Sequence, residues 1–406
     1  MSRLDILRAA LFTPTSRGWG LPMLLWDVPG VGKTEAILQL GRETGLYVEV
    51  LSPGERQEGA FGVTPVPEIR PFKYPDGKIV DRMILTYPPP EWTDNLLDAQ
   101  GVPVGIVFVD ETNTAPAALR PALMGLIHEK RIGAHFLGRR VRIFGAANPP
   151  ELSAGGSELP APVANRMGHL PWLQDNRPDV GEWTSWLLGS GADRHTEVVL
   201  GSAASEEARV MENWGSPWAK ARAVVAGYIK AVPDALLKVP KLGDGKAGRA
   251  WCSPRSWENA ARALSSGEVN GLEVGDAEEF VASFVGAGAA SELFEYREKV
   301  DLPNPLDVMD RVVKWAHDPD RIDRTEVTLN ACATLLEDRK LDKRKDRAKV
   351  LWGILGEVVG EMADLCIRPM GTLIDSELSQ IPEARPVLAK MQPFVKATGL
   401  QPRSRR

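Results

Sequence analysis

Cysteine is scarce: the chain of 406 residues holds three, Cys252, Cys332 and Cys366. They are far apart and outside any Cys-x-x-Cys spacing, which excludes a disulfide framework and a cysteine-rich zinc site and fits a reducing cytoplasm. The five histidines, His128, His135, His169, His195 and His317, form no close pair with a carboxylate on one helix face, so no metal site of that kind is indicated. No run approaches the ~20 apolar residues needed to cross a bilayer. The partly apolar start, residues 4–12, is interrupted by Asp5 and Arg8 and lacks a cleavage pattern, so neither anchor nor export signal is expected. Positive charge is not in excess, with 49 Lys plus Arg against 54 Asp plus Glu and a net charge of −5. Bulk attraction to a phosphate backbone is therefore missing, and nucleic acid is not the expected partner. There is no Gly-x-Ser-x-Gly elbow, which leaves acyl transfer without support.

What is present is ordinary for a globular chain: 43% hydrophobic and 25% charged residues. At about 100–200 residues per domain, the length suits two or three domains. In the first part, strand-like and helix-like segments alternate as in a parallel sheet covered by helices. Residues 23–26, 105–109 and 141–146 are apolar runs of buried-strand type, 47–51 alternates, and 167–172 is a possible fifth strand. Residues 34–42 carry helical spacing, and Gly45 is placed to cap them. The stretch 52–100, rich in Pro and Gly, is too long for a simple connection and reads as a functional or partly structured insertion.

From about residue 180 the strands stop. Residues 206–232 and 276–299 read as helices, and Pro303 and Pro305 mark a boundary. Near the end, Leu351, Ile354, Leu355, Val358, Met362 and Leu365 form one apolar stripe opposite Glu357, Glu361 and Asp364. Residues 337–349, dense in both charge signs, read as a solvated helix face. Trp172, Trp183, Trp186, Trp214, Trp218, Trp251 and Trp257 gather in the middle of the chain and suit core packing or subunit contacts. Arg139, Arg140 and Arg142 read as a solvated hairpin in preference to contacts with another subunit.

The sharpest signal is Asp27-Val28-Pro29-Gly30-Val31-Gly32-Lys33-Thr34, between an apolar strand and an amphipathic helix. Gly30 and Gly32 allow successive backbone N–H groups to face an anion, and the helix adds its positive N-terminal end. This context matches a P-loop, in which Pro29 to Thr34 would cradle the phosphates of ATP. Lys33 would reach the β- and γ-phosphates, and the Thr34 hydroxyl would join the Mg²⁺ shell. Asp27 stands where the pattern has its first glycine. It either repels the phosphates or turns away and accepts hydrogen bonds from the loop's own amides, the latter being the preferred reading. Ile106-Val107-Phe108-Val109-Asp110-Glu111 supplies the complementary half: Asp110 at a strand end would hold Mg²⁺, and Glu111 would polarise the attacking water.

Together with Ala147-Asn148-Pro149, Asn165-Arg166-Met167 and Ser253-Pro254-Arg255, these motifs resemble the AAA+ ATPases. Within them they are most similar to the MoxR branch of the helix-2-insert clade, whose insert falls where residues 52–100 lie. The resemblance implies an α/β fold: a P-loop AAA+ core with a five-stranded parallel sheet over residues 1–175, a helical lid over 176–300 and a C-terminal helical extension over 301–406. It implies that Asn148 is the first sensor, that Arg166 is an arginine finger offered to a neighbouring subunit's nucleotide, and that Arg255 is a second sensor reaching its own subunit's γ-phosphate. It further implies a cytoplasmic, Mg²⁺-dependent ATP hydrolase, assembled as a hexameric ring or spiral, that remodels or matures a protein client contacted through a von Willebrand factor A domain protein. A nucleic-acid motor or loader, and an ATP-gated scaffold with slow hydrolysis, are the alternatives.

Overall fold

The computed structural model describes residues 3–55, 58–62, 64–153, 158–173, 178, 180–187, 202–241, 245–374 and 377–398. Its centre is a sheet of five parallel strands: β1 (Met23–Trp26), β2 (Val48–Leu51), β3 (Val104–Val109), β4 (Arg140–Ala147) and β5 (Gly168–Pro171), in the spatial order β5-β1-β4-β3-β2. Helices cover both faces, which is why the strands are continuous apolar runs and not alternating ones. On one face Met23, Leu25, Ile106, Phe108 and Phe144 meet Ile37 and Leu40 of α2 (Lys33–Thr44) and Ile6 and Leu7 of α1 (Arg3–Leu11). On the other, Leu24, Val107, Val109 and Ile143 meet Leu123, Leu126 and Ile127 of α3 (Arg120–Glu129). Each fully buried side chain of this size contributes ~1.5–3 kcal/mol by leaving water.

The fold is the α/β P-loop arrangement that the motifs imply, with further helices behind it. Because β1 lies between β4 and β5, successive connections leave it on opposite sides, and the crevice for a ligand opens at the carboxyl ends of the strands there. Gly45 ends α2 in a left-handed conformation, φ +66°, and donates its N–H to the Arg42 carbonyl oxygen.

The insertion is partly regular. Residues Val66–Lys73 and Ile79–Thr86 pair as an antiparallel ribbon whose side chains are largely exposed, Met83 and Ile69 among them at 74% and 65%. Two segments that read as single helices are each two. Residues 206–232 divide into α4 (Ala203–Asn213) and α5 (Gly215–Ala231), where Pro217 occupies the first turn of the second helix and has no N–H to continue the first. Residues 276–299 divide at Gly286, φ +88°, into α7 (Val274–Val285) and α8 (Ala287–Val300), after α6 (Pro254–Val269).

The late apolar stripe is also split. Leu351, Leu355 and Val358 are buried on α10 (Arg344–Val358), which follows α9 (Ile322–Leu335), while Met362 caps α11 (Ala363–Leu373), with α12 (Ala384–Thr398) behind. The charged run does not form one solvated helix face either: α10 starts only at Arg344, whose side chain is largely buried and donates through Nε to the Leu336 carbonyl oxygen. Of the tryptophans, Trp214 and Trp218 stack at 5.9 Å and Trp257 is buried against Tyr228. The Trp186 side chain lies outside the described residues.

The arginines at the start of β4 depart most from the solvated reading. Arg142 is wholly buried, donating to the Arg140 and Leu11 carbonyl oxygens and to Glu207 of α4, while Arg140 reaches the same carboxylate at 3.0 Å. Burial lowers the affinity of Arg142 for its proton, and Glu207 opposes that. A buried guanidinium is tolerable only while its counter-charge is present. Glu207→Ala is therefore expected to cost ~3 kcal/mol of stability, seen as a lower midpoint in urea denaturation.

Candidate nucleotide-binding site

The site is built where β1, β3 and β4 end. The parallel register sets Trp26 beside Ala147 and Val109 beside Gly145, so Asp27, Asp110 and Asn148 emerge along one edge. Gly30 and Gly32 adopt φ of +83° and +85°, with open space where a side chain would begin. It is the left-handed backbone, and not crowding, that calls for glycine there. Pro29, Gly30, Val31 and Gly32 form the turn, and α2 starts at Lys33.

Lys33 is buried, and its Nζ donates to three oxygens: the carbonyls of Asp27 at 2.7 Å and Val28 at 2.9 Å, and Oδ1 of Asn148 at 2.8 Å. Burial lowers its pKa, and the carboxylates of Asp27, Asp110 and Glu111 pull the other way. The Thr34 hydroxyl donates to Oδ2 of Asp110 at 2.6 Å. A hydroxyl and a carboxylate in contact, both hard oxygen donors, suit Mg²⁺.

Glu111 is exposed and left-handed, φ +49°, with its carbonyl accepting from the N–H and hydroxyl of Thr114, both at 2.8 Å. That backbone costs ~1–2 kcal/mol for a residue with a side chain, and such strain collects at working sites.

Both oxygens of Asp27 are engaged by backbone amides, while its charge acts on Lys33. Its Oδ1 accepts from the Val28 N–H at 2.8 Å and its Oδ2 from the Leu173 N–H at 2.9 Å. Trp172 adds a second tie from the same segment, donating through Nε1 to the Val31 carbonyl oxygen at 2.9 Å. The end of β5 thus clamps the loop, a role no local sequence pattern announced.

Asn113 was visible in the sequence only as a neighbour of the acidic pair. Its Nδ2 donates to the Asn148 carbonyl oxygen at 2.9 Å and its Oδ1 accepts the Asn148 N–H at 3.3 Å, fixing the backbone that aims the Asn148 side chain at Lys33. Arg249 is a further unforeseen residue, its guanidinium 3.5 Å from the centre of the Trp26 ring at the carboxyl end of β1.

Arg166 and Arg255 are not brought to this edge. Arg166 precedes β5, at the opposite end of the sheet, and donates to the Pro162 carbonyl oxygen. Its proton affinity is lowered by burial and by the charges of Arg255 and Arg17. Arg255 is exposed and makes no hydrogen bond or ion pair among the described residues. Asn165 ties the two segments together: its Oδ1 accepts from the Ser253 hydroxyl at 2.8 Å and its Nδ2 donates to the Trp251 carbonyl oxygen at 3.1 Å.

No family model matches the chain, and no curated protein matches it in sequence. Among solved structures it is similar to a protein of Cytophaga hutchinsonii named as a candidate ATPase, with 15% identity over 71% of this chain and 78% of that one and a TM-score of 0.40. No helix among the described residues is long and apolar enough to cross a membrane.

Asp27→Ala removes the acceptor of two loop and strand-end amides. At ~1 kcal/mol for each hydrogen bond lost, the expected outcome is a destabilisation of about 1–3 kcal/mol in urea denaturation, together with faster hydrogen exchange at the amides of Val28 and Leu173.

Proposed function

We propose that the chain is a P-loop ATPase. More narrowly, it acts as a MoxR-like AAA+ machine that hydrolyses ATP in a ring or spiral of its own copies and uses the work to remodel or mature a protein client. The observation that carries the reading is the paired contact of Lys33 with Asn148 and of Thr34 with Asp110 at one sheet edge.

In this reading Lys33 exchanges its protein oxygens for phosphate oxygens when ATP binds, and Asn148 becomes free to orient the γ-phosphate or the attacking water. Glu111, exposed beside the cradle, polarises that water. Thr34 and Asp110 would hold Mg²⁺, which when bound would supply charge neutralisation to the phosphates. The engagement of Asp27 by two amides favours a working cradle over the slow-hydrolysis scaffold, since both carboxylate oxygens already have hydrogen-bond donors. The net charge of −5 favours a protein client over nucleic acid, and the family resemblance implies that a von Willebrand factor A domain protein contacts that client.

Lys33→Ala is expected to abolish ATP binding in calorimetric titration. Arg166→Ala is expected to bind ATP within about threefold of wild type and to lose turnover by ~1,000-fold or more. Binding retained by the first variant would sink the cradle assignment, and wild-type turnover by the second would sink the finger.

A further inference from the structure

The antiparallel ribbon of the insertion, Val66–Lys73 paired with Ile79–Thr86, supplies no residue to the nucleotide site and is open to solvent along most of its length. Which of its residues face outward follows from its turn. The Tyr74 N–H donates to the Lys78 carbonyl oxygen at 2.8 Å and the Gly77 N–H to that of Tyr74 at 2.9 Å, with Gly77 at φ +87°. Hydrogen-bonded and non-hydrogen-bonded pairs alternate along an antiparallel ladder. Counting from Tyr74 and Lys78 in the register of the ribbon, the bonded pairs are Phe72 with Val80, Arg70 with Arg82, Glu68 with Ile84 and Val66 with Thr86. The odd-numbered residues therefore turn their N–H and C=O groups to the outer edges.

The two edges are not alike. On the first strand the outward positions are Pro67, Ile69, Pro71 and Lys73, and the two prolines have no N–H to offer. Proline at an outward position takes no bond from the ribbon and closes that edge to a further strand. On the second strand the outward positions are Ile79, Asp81, Met83 and Leu85, each with both N–H and C=O, and among the described residues no strand pairs with them. Their side chains share one face with Ile69. The apolar ones are strongly exposed, Ile79 at 63%, Leu85 at 64% and Met83 at 74%, whereas Val80 and Ile84 on the opposite face are half-buried.

Charge narrows what would lie along the open edge. Arg70 and Arg82 are directly opposed in the register. Arg70 is neutralised by Glu68, whose carboxylate accepts from its Nε at 2.8 Å and from its Nη2 at 2.9 Å. Arg82 lies 5.0 Å from the centre of the Phe72 ring and makes no ion pair among the described residues. A carboxylate one strand further out on the same face would meet it. A second copy of this edge would not supply one. Antiparallel pairing keeps outward residues opposite outward residues, so Arg82 would face only Val80, Arg82, Ile84 or Thr86 of the copy, and none of these is acidic.

We infer that the outer edge of Ile79–Thr86 is a strand-addition site for an extended segment of a different protein, apolar on the face it shares with Ile79, Met83 and Leu85 and acidic on the face beside Arg82. Main-chain hydrogen bonds supply the affinity, and the apolar row with Arg82 supplies the selectivity. The inference stands apart from the ATPase reading, because no residue of the cradle takes part in it.

The test titrates the end-capped heptapeptide Val-Thr-Val-Glu-Val-Thr-Val into the full-length protein and follows amide hydrogen exchange. Saturation is expected to slow exchange about tenfold or more at Ile79, Asp81, Met83 and Leu85, with little change at Val80, Arg82 and Ile84, which are already bonded within the ribbon. The same peptide N-methylated at its valines lacks the donors that face the edge and is expected not to bind. Met83→Pro, which repeats on this edge what Pro67 and Pro71 do on the other, is expected to bind about fivefold more weakly than Met83→Ala, which keeps the N–H. In Arg82→Glu the preference is expected to turn, by about threefold, to the peptide with Lys in place of Glu. No binding up to about 1 mM peptide, or equal binding of the N-methylated peptide, overturns the inference. Equal binding by Met83→Pro and Met83→Ala, with the amides of Val80 and Ile84 still slow, overturns it too. Slowing at the outward amides that grows with protein concentration in the absence of peptide assigns the edge to a second copy and also overturns it.

Discussion

A buried ammonium has to be surrounded by oxygen, and the architecture of this protein is arranged around that requirement at Lys33. Three oxygens meet its Nζ: two belong to the loop that precedes it and one to Asn148, 115 residues away. The loop oxygens are available because Gly30 and Gly32 turn the backbone left-handed. The Asn148 oxygen is available because β4 lies beside β1 in parallel register and because Asn113 holds the Asn148 backbone from both sides. A shift of one strand by one residue would leave the charge without one of its partners in a desolvated place, a loss costing several kcal/mol.

The sheet also works as a spacer. Parallel strands give every carboxyl terminus to one edge and every amino terminus to the other, so groups that follow strands and groups that precede them cannot meet within one chain. Asp110 and Asn148 follow their strands; Arg17 and Arg166 precede theirs. The chain thus places Asp110, Asn148 and the candidate cradle on one edge and Arg166 on the other.

Much of the core was legible in the sequence because its signals are local. Apolar runs bounded by turns gave the five strands, and two glycines ahead of Lys33-Thr34 gave the cradle. The rest was hidden by distance along the chain. Trp172 meets Val31 across 141 residues, and Arg142 meets Glu207 across 65. An arginine triplet in isolation has the texture of a solvated turn, and only the arrival of a carboxylate from α4 makes burial affordable for one of its members. The helices misread as continuous failed for a different reason: their apolar periodicity runs through the breaks, and the breaks are set by Gly286 and Pro217, single residues with no effect on the pattern. Arg255 matched its motif in sequence, yet the helix it opens is docked by Asn165 onto the segment that carries Arg166.

The tie between Arg142 and Glu207 has company nearby: the Ser266 hydroxyl donates to the Ala9 carbonyl oxygen at 2.9 Å, and Arg262 donates to that of Pro14 at 3.0 Å. All three join the helical region to the chain around the amino edge of the sheet, whereas at the carboxyl edge the guanidinium of Arg249 rests on the Trp26 ring and feels the charges of Glu151 and Glu158. Directional hydrogen bonds therefore hold the helices at the amino edge and a cation–ring contact holds them at the carboxyl edge, so the two ends of the joint are secured by forces of different kind.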